Sequence, residues 1–159
     1  MHCRITARHA ARHQFCVGDT EGAPMPSIKG SCLCGKVRCS ADAEPAFVGR
    51  CHCHDCQKFT GSAFSTVIGL PKASVTVTGT LKGFTKLGDS GKPIERRFGP
   101  DCGASIVDEC EVMPGIVMIA AGTPDDPSWL KPAAQICCAS AQPWVELGGQ
   151  MKRFERAPE

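Results

Sequence analysis

Long apolar runs are missing from this chain: no stretch approaches the roughly 20 consecutive apolar residues that cross a bilayer, so no membrane-spanning helix is expected. Charge of one sign is equally scarce. With 18 basic and 16 acidic residues the formal net charge is only +2, which excludes the concentrated positive surface that nucleic-acid binding requires. The apolar core of a secretory signal is absent too, because Met1 to Gln14 carries Arg4, Arg8 and Arg12 with three histidines among them. Long helices have little room among 17 Gly and 12 Pro spread along the chain. Internal repeats and low-complexity segments are also lacking, and no linker divides Lys29 from Phe154, so 159 residues read as one domain with a modest core.

Cysteine is what the chain has in quantity. Twelve thiols approach the density of small disulfide scaffolds, but five of them lie in CxC or CxCxxC clusters, a spacing that suits a metal better than loop-closing bridges. Unbridged thiols point to a reducing, cytoplasmic compartment. The first residues stand apart, being basic and histidine-rich without an apolar period, and 1–26 is expected to be an extension of the domain at 27–155. Three origins remain open for it: a start codon properly at Met25, a floppy tail, or a targeting peptide. In each case Cys3 and Cys16 are bystanders.

Short β-branched runs at 36–39, 65–68, 74–78, 94–98 and 116–119, punctuated by Gly and Pro, predict a mainly β domain of short strands. Helical turns are expected only at 55–59 and 125–130. The metal clusters then fall at strand ends and turns.

The run Cys51-His52-Cys53-His54-Asp55-Cys56 packs three thiols into six residues, and zinc is the usual agent that holds such a group together. Three thiolates leave a tetrahedral ion one position short. That place is open to an incoming ligand, or it is closed by His52 or His54 as fourth donor, giving a purely structural knuckle. Upstream, Cys32 and Cys34 form a second tight pair. Downstream, Phe98-Gly99-Pro100-Asp101-Cys102-Gly103 looks like the second half of a metal knuckle lacking one ligand.

Gly30-Ser31-Cys32-Leu33-Cys34-Gly35-Lys36-Val37, Cys51 to Lys58, Gly61, Arg97-Phe98, Cys102-Gly103 and Pro143-Trp144 together resemble the family of glutathione-dependent formaldehyde-activating enzymes, which includes the centromere protein V domain. The resemblance implies an all-β, Mss4-like fold of small antiparallel sheets carrying two zinc sites. It implies Cys51, Cys53 and Cys56 as ligands of the zinc taken as catalytic, and Cys32, Cys34 and Cys102 as ligands of a structural zinc. The remaining structural ligand falls on Gly99, which has no side chain to offer. A weakened site is therefore expected there, with Cys110 as a candidate substitute and Asp101 pointing away. Structural zinc contributes on the order of 10 kcal/mol of apparent binding energy in small domains, so the loss matters.

A zinc ion with three thiolates has a formal charge of about −1 and is a poor activator of water, but it binds a further thiol as a nucleophilic thiolate. A small cellular thiol such as glutathione attacking an aldehyde carbon fits that centre. The resemblance agrees, implying formation or cleavage of S-hydroxymethylglutathione by a carbon–sulfur lyase. His52 or His54 would then shuttle the proton, and Lys58, Arg96 or Arg97 would pair with the carboxylates of glutathione. Plainer readings accompany these: both histidines as exposed turn residues, and one of Arg96 and Arg97 facing solvent on an alternating strand. Trp129 and Trp144 read as core or cap residues, Asp125-Asp126 as a turn, and Cys39, Cys137 and Cys138 as small buried hydrophobes.

Two other functions compete. The same fold serves partner binding in relatives, which makes a zinc-stabilised binding module the first alternative, although no basic tail or acidic face supports it. The surplus thiols Cys110, Cys137 and Cys138 suggest the second, a thiol-based sensor of metal or oxidant.

Overall fold

Each strand is two to seven residues long, as glycine and proline punctuation dictates, and in sheet the chain can hide only alternate side chains. The computed structural model describes residues 27–157; the readings made for 1–26, Met25, Cys3 and Cys16 included, lie outside the described residues. Eleven strands and one short helix follow in order. They are β1 (Ile28–Ser31), β2 (Arg38–Ala41), β3 (Phe47–Cys51), α1 (His54–Thr60), β4 (Ser65–Pro71) and β5 (Val75–Thr78). Then come β6 (Lys82–Leu87), β7 (Pro93–Phe98), β8 (Ser105–Cys110), β9 (Ile116–Ala120), β10 (Ala134–Ile136) and β11 (Lys152–Arg153).

A three-stranded sheet runs β1-β2-β5, and an eight-stranded sheet runs β11-β10-β3-β4-β9-β8-β7-β6. Both are antiparallel except at one end of the larger, where β10 lies parallel to β3 and to β11. The all-β antiparallel expectation holds, with cysteine clusters at strand ends. Ile28, Val37, Cys39 and Ala41 of the small sheet and its turn pack on Ile68, Leu70, Ile106, Val107, Val117 and Ile119 of β4, β8 and β9. Burying a side chain of this size stabilises by about 1.5–3 kcal/mol, so this shared layer dominates the fold's stability.

The five predicted strands appear as β2, β4, β5, β7 and β9, shifted by no more than a few residues. The predicted helix at 55–59 is α1, capped at its start by Cys53 and closed by Gly61 in the left-handed region at φ 65°. The expected helical turn at 125–130 is not helical. Pro124 bridges to Gly30 instead, Asp126 accepts from the Ser128 N–H at 2.9 Å, and Pro127 interrupts the segment. The Asp125-Asp126 turn stands.

Gly30 of β1 is crossed closely by the segment that follows β9. A Cβ there would lie 2.1 Å from the Thr123 carbonyl oxygen, which is backbone and cannot swing away. Gly30→Ala is therefore expected to cost about 1–3 kcal/mol. Gly122→Ala, with open space at its Cβ, should stay within about 0.5 kcal/mol of the parent; urea unfolding of the two variants checks both.

Candidate metal centre

Strand β3 ends on Cys51 because its pairing with β4 and β10 stops there, and the chain then turns directly into α1. Cys53 occupies the N-cap, its Sγ accepting from the Cys56 N–H at 3.4 Å. Cys56, one turn into the helix, is buried. The Sγ atoms of all three lie within 4.8 Å of one another. Tetrahedral zinc–thiolate bonds of about 2.3 Å require sulfurs roughly 3.8 Å apart, so this set fits such an ion with little movement. Neither His52 nor His54 contributes a nitrogen to the group.

His52 corrects the exposed-turn reading. It is 1% exposed, its ring packs on Phe64 with centroids 5.3 Å apart, and Nε2 meets Oε1 of Gln135 at 3.2 Å. Its Nδ1 is buried without a partner. The ring is thus committed to the β3–β10 layer rather than to solvent. His54 is exposed, as the plainer reading expects.

The centre is framed by a network invisible to local sequence reasoning. Gln57 donates to the carbonyls of His52 at 2.6 Å and Ser140 at 2.9 Å, and accepts from Gln142 at 2.6 Å. Its partners at 140 and 142 lie more than eighty residues along the chain. Only the docking of the segment after β10 shows that Gln57, Gln135 and Gln142 matter.

Arg96 is also buried, and its Nη2 stands 3.9 Å from Cys56 Sγ, with the guanidinium over the Phe59 ring at 5.6 Å. Hydrogen bonds from Cys51 and Cys53, with lesser help from Ser65 and Arg96, pull the Cys56 thiol far below its ordinary value against the opposing effect of burial. The same mutual bonding pushes Cys51 up. Negative charge therefore settles first on Cys56, beside the buried Arg96. Arg97 points elsewhere, to Glu109 and Glu95. Of the pair, Arg96 is buried and Arg97 is half-buried and charge-paired, so neither is a free surface cation.

An open cleft of about 580 Å³ runs along one face of α1, lined by His54, Gln57, Lys58, Gly61, Ser62, Ala63, Gln142 and Trp144. His54, Gln57 or Lys58, and Gly61 recur at helical spacing, while Cys53 caps the same helix and Cys56 lies on its buried side. The structure brings His54 and Lys58 together here and leaves Arg96 and Arg97 out. Trp144 corrects its core reading: it is 72% exposed and forms a wall of the cleft, whereas Trp129 packs on the core.

Cys32, Cys34 and Cys102 form a second set with Sγ atoms within 4.8 Å of one another. The Val37 N–H donates to Cys32 Sγ at 3.2 Å, the main reason that thiol is held down at about 6. Cys110 is no substitute ligand, for it ends β8 outside this group, and burial pushes its thiol up to about 11. Asp101 turns to Lys36 at 2.9 Å. Cys39, Cys137 and Cys138 are buried as expected.

The family model described as glutathione-dependent formaldehyde-activating enzyme matches residues 27–140. The crystal structure of a Rhodobacter sphaeroides protein shares the fold at a TM-score of 0.52 and 17% identity, covering 80% of this chain and 99% of that one. No curated protein matches the chain.

Asp108 on β8 supplies a test of the electrostatics. Burial raises its carboxyl to about 7, opposed by Arg96, and its Oδ1 has no partner. A carboxyl raised on folding binds more protons in the folded state, so its contribution is favourable at low pH and is lost as pH climbs from about 4 through about 7. Asp108→Asn should remove that loss. The variant is expected to match the parent near pH 4 and to exceed it at pH 8, by at most on the order of 4 kcal/mol, in urea midpoints measured side by side.

Proposed function

Because the chain belongs to the family of glutathione-dependent formaldehyde-activating enzymes, we propose that it is a zinc-dependent carbon–sulfur lyase joining glutathione and formaldehyde as S-hydroxymethylglutathione, or cleaving that adduct. The observation that carries this reading is a set of three thiols without a histidine donor, gathered at the start of the helix that also lines the cleft. Zinc held by Cys51, Cys53 and Cys56 would supply a fourth position that takes an incoming thiol and lowers its pKa.

The protein's own side chains do the rest. The cleft, at about 580 Å³, lies within the range of roughly 300–1,000 Å³ usual for small-molecule sites and admits a tripeptide. Lys58 offers an exposed cation to one glutathione carboxylate, and Gln142 and Trp144 supply polar and apolar contact. His54, adjacent in sequence to Cys53 and exposed in the cleft, is the base that accepts the thiol proton and returns it to the oxygen of the aldehyde. The sulfur–carbon bond forms as the carbonyl electron pair moves to that oxygen, and the proton count balances. His52, bound to Gln135, positions the strand end instead of shuttling protons. Arg96 offsets the excess negative charge of the thiolate set from behind Cys56. A reducing, cytoplasmic setting is part of the proposal, supported by ten unpaired cysteines among the described residues.

Two measurements test it. In cobalt-substituted protein, millimolar glutathione should perturb the metal's visible spectrum; an unchanged spectrum sinks the lyase reading. Lys58→Ala should raise KM for glutathione severalfold with little change in kcat, since the ammonium group holds substrate and transition state alike.

A further inference from the structure

Gly99 sits buried against the second thiol set, at the point where a β-bulge between Arg97 and Phe98 turns β7 into the knuckle loop. A Cβ at this position would lie 3.3 Å from Cys102 Sγ, 3.5 Å from Cys32 Cβ and 3.7 Å from Cys32 Sγ. Position 99 is therefore aimed at the sulfurs, and its backbone angles suit an ordinary L residue. Beside it a cavity of about 190 Å³ is lined by Gly99, Lys36, Asp101 and, of the three thiols, Cys34. Lys36 and Asp101, paired at 2.9 Å and both largely exposed, place a cation and an anion side by side on its wall.

We propose that Cys32, Cys34 and Cys102 form a second metal centre whose fourth position, which no side chain reaches from Gly99, takes a low-molecular-weight aminothiol from solution. A tetrahedral zinc needs four donors and this chain supplies three. The cavity is larger than a single sulfur needs and falls below the roughly 300 Å³ at which ordinary ligand pockets begin, a size that matches a thiol of amino-acid dimensions. Lys36 faces the carboxylate of such a ligand and Asp101 its ammonium group. The thiol proton passes to solvent as the sulfur becomes the fourth donor, and no electron changes hands. The site that relatives are expected to close with a fourth protein sulfur is, in this chain, a receptor for a small thiol.

The test uses the full chain loaded with cobalt(II), whose thiolate charge-transfer band grows with each metal–sulfur bond, titrated with L-cysteine. The parent should hold two cobalt ions and gain a cobalt–sulfur bond at the second centre. Gly99→Cys should hold the same two ions but lose that event, because its own sulfur fills the place. Gly99→Ala should lose it as well, by obstruction without a donor, and guards against failure of the cysteine variant to fold. Lys36→Ala should weaken L-cysteine severalfold with cobalt stoichiometry unchanged. A parent that holds only one cobalt overturns the proposal, as does L-cysteine binding that is the same in the parent and both Gly99 variants. The glutathione response of the Cys51 centre should survive in every Gly99 variant, so failure here and failure of the lyase reading are told apart.

Discussion

Three sulfurs must meet within 4.8 Å, and the rest of the structure is arranged around the strand end and helix start that make them do so. Cys51 is held by the ladder of β3, which has β4 on one side and β10 on the other. Two residues later Cys53 caps α1, and one turn further Cys56 faces back. The helix has only seven residues and cannot stand alone, because isolated helices shorter than about 12–15 residues are marginal in water. What holds it is the Gln57 carboxamide, bridging the carbonyls of His52 and Ser140, and the ion pair from Asp55 to Lys86. Part-buried amide bonds of this kind contribute about 0.5–1.5 kcal/mol each, but leaving one unmade costs more.

Charge imposes the second constraint. Bringing thiolates into a half-buried site is costly unless a cation accompanies them, and Arg96 is that cation, itself buried and stacked on Phe59. Asp108 shares the same interior and shows what happens to a carboxyl without a partner of its own: burial drives it toward the neutral form. The two thiol centres differ in this respect. The second lies beside an exposed Lys36–Asp101 pair, so solvent rather than a buried guanidinium answers its charge.

Local pattern revealed about half of the fold. Strands β2, β4, β5, β7 and β9 carry β-branched alternation and were legible. Strands β1, β3 and β6 interleave glycine or polar residues, and β10 is three residues long, so each becomes a strand only by pairing with a neighbour. Edge strand β6 is exposed at every position, which no hydrophobic period can signal. The segment 125–130 misled because its composition permits a turn of helix, while Pro124 is captured by Gly30 from a distant strand. His52, Arg97, Cys110 and Trp144 were misplaced for one reason: burial and partnering of a side chain depend on which remote segment lies over it.

By itself the sequence determined which thiols are candidates to share a metal, since Cys51, Cys53 and Cys56 lie two and three residues apart, as Cys32 and Cys34 lie two apart, whereas Cys102 reaches its set only through the fold. It also determined that position 99 has no donor, because glycine carries none. Only the tertiary structure decided that neither neighbouring histidine joins the first thiol set, that Arg96 and not Arg97 stands behind it, and that Trp144 walls a cleft. Those outcomes turn on contacts between segments tens of residues apart, where energy comes from burial and pairing across sheets, and no local spacing encodes them.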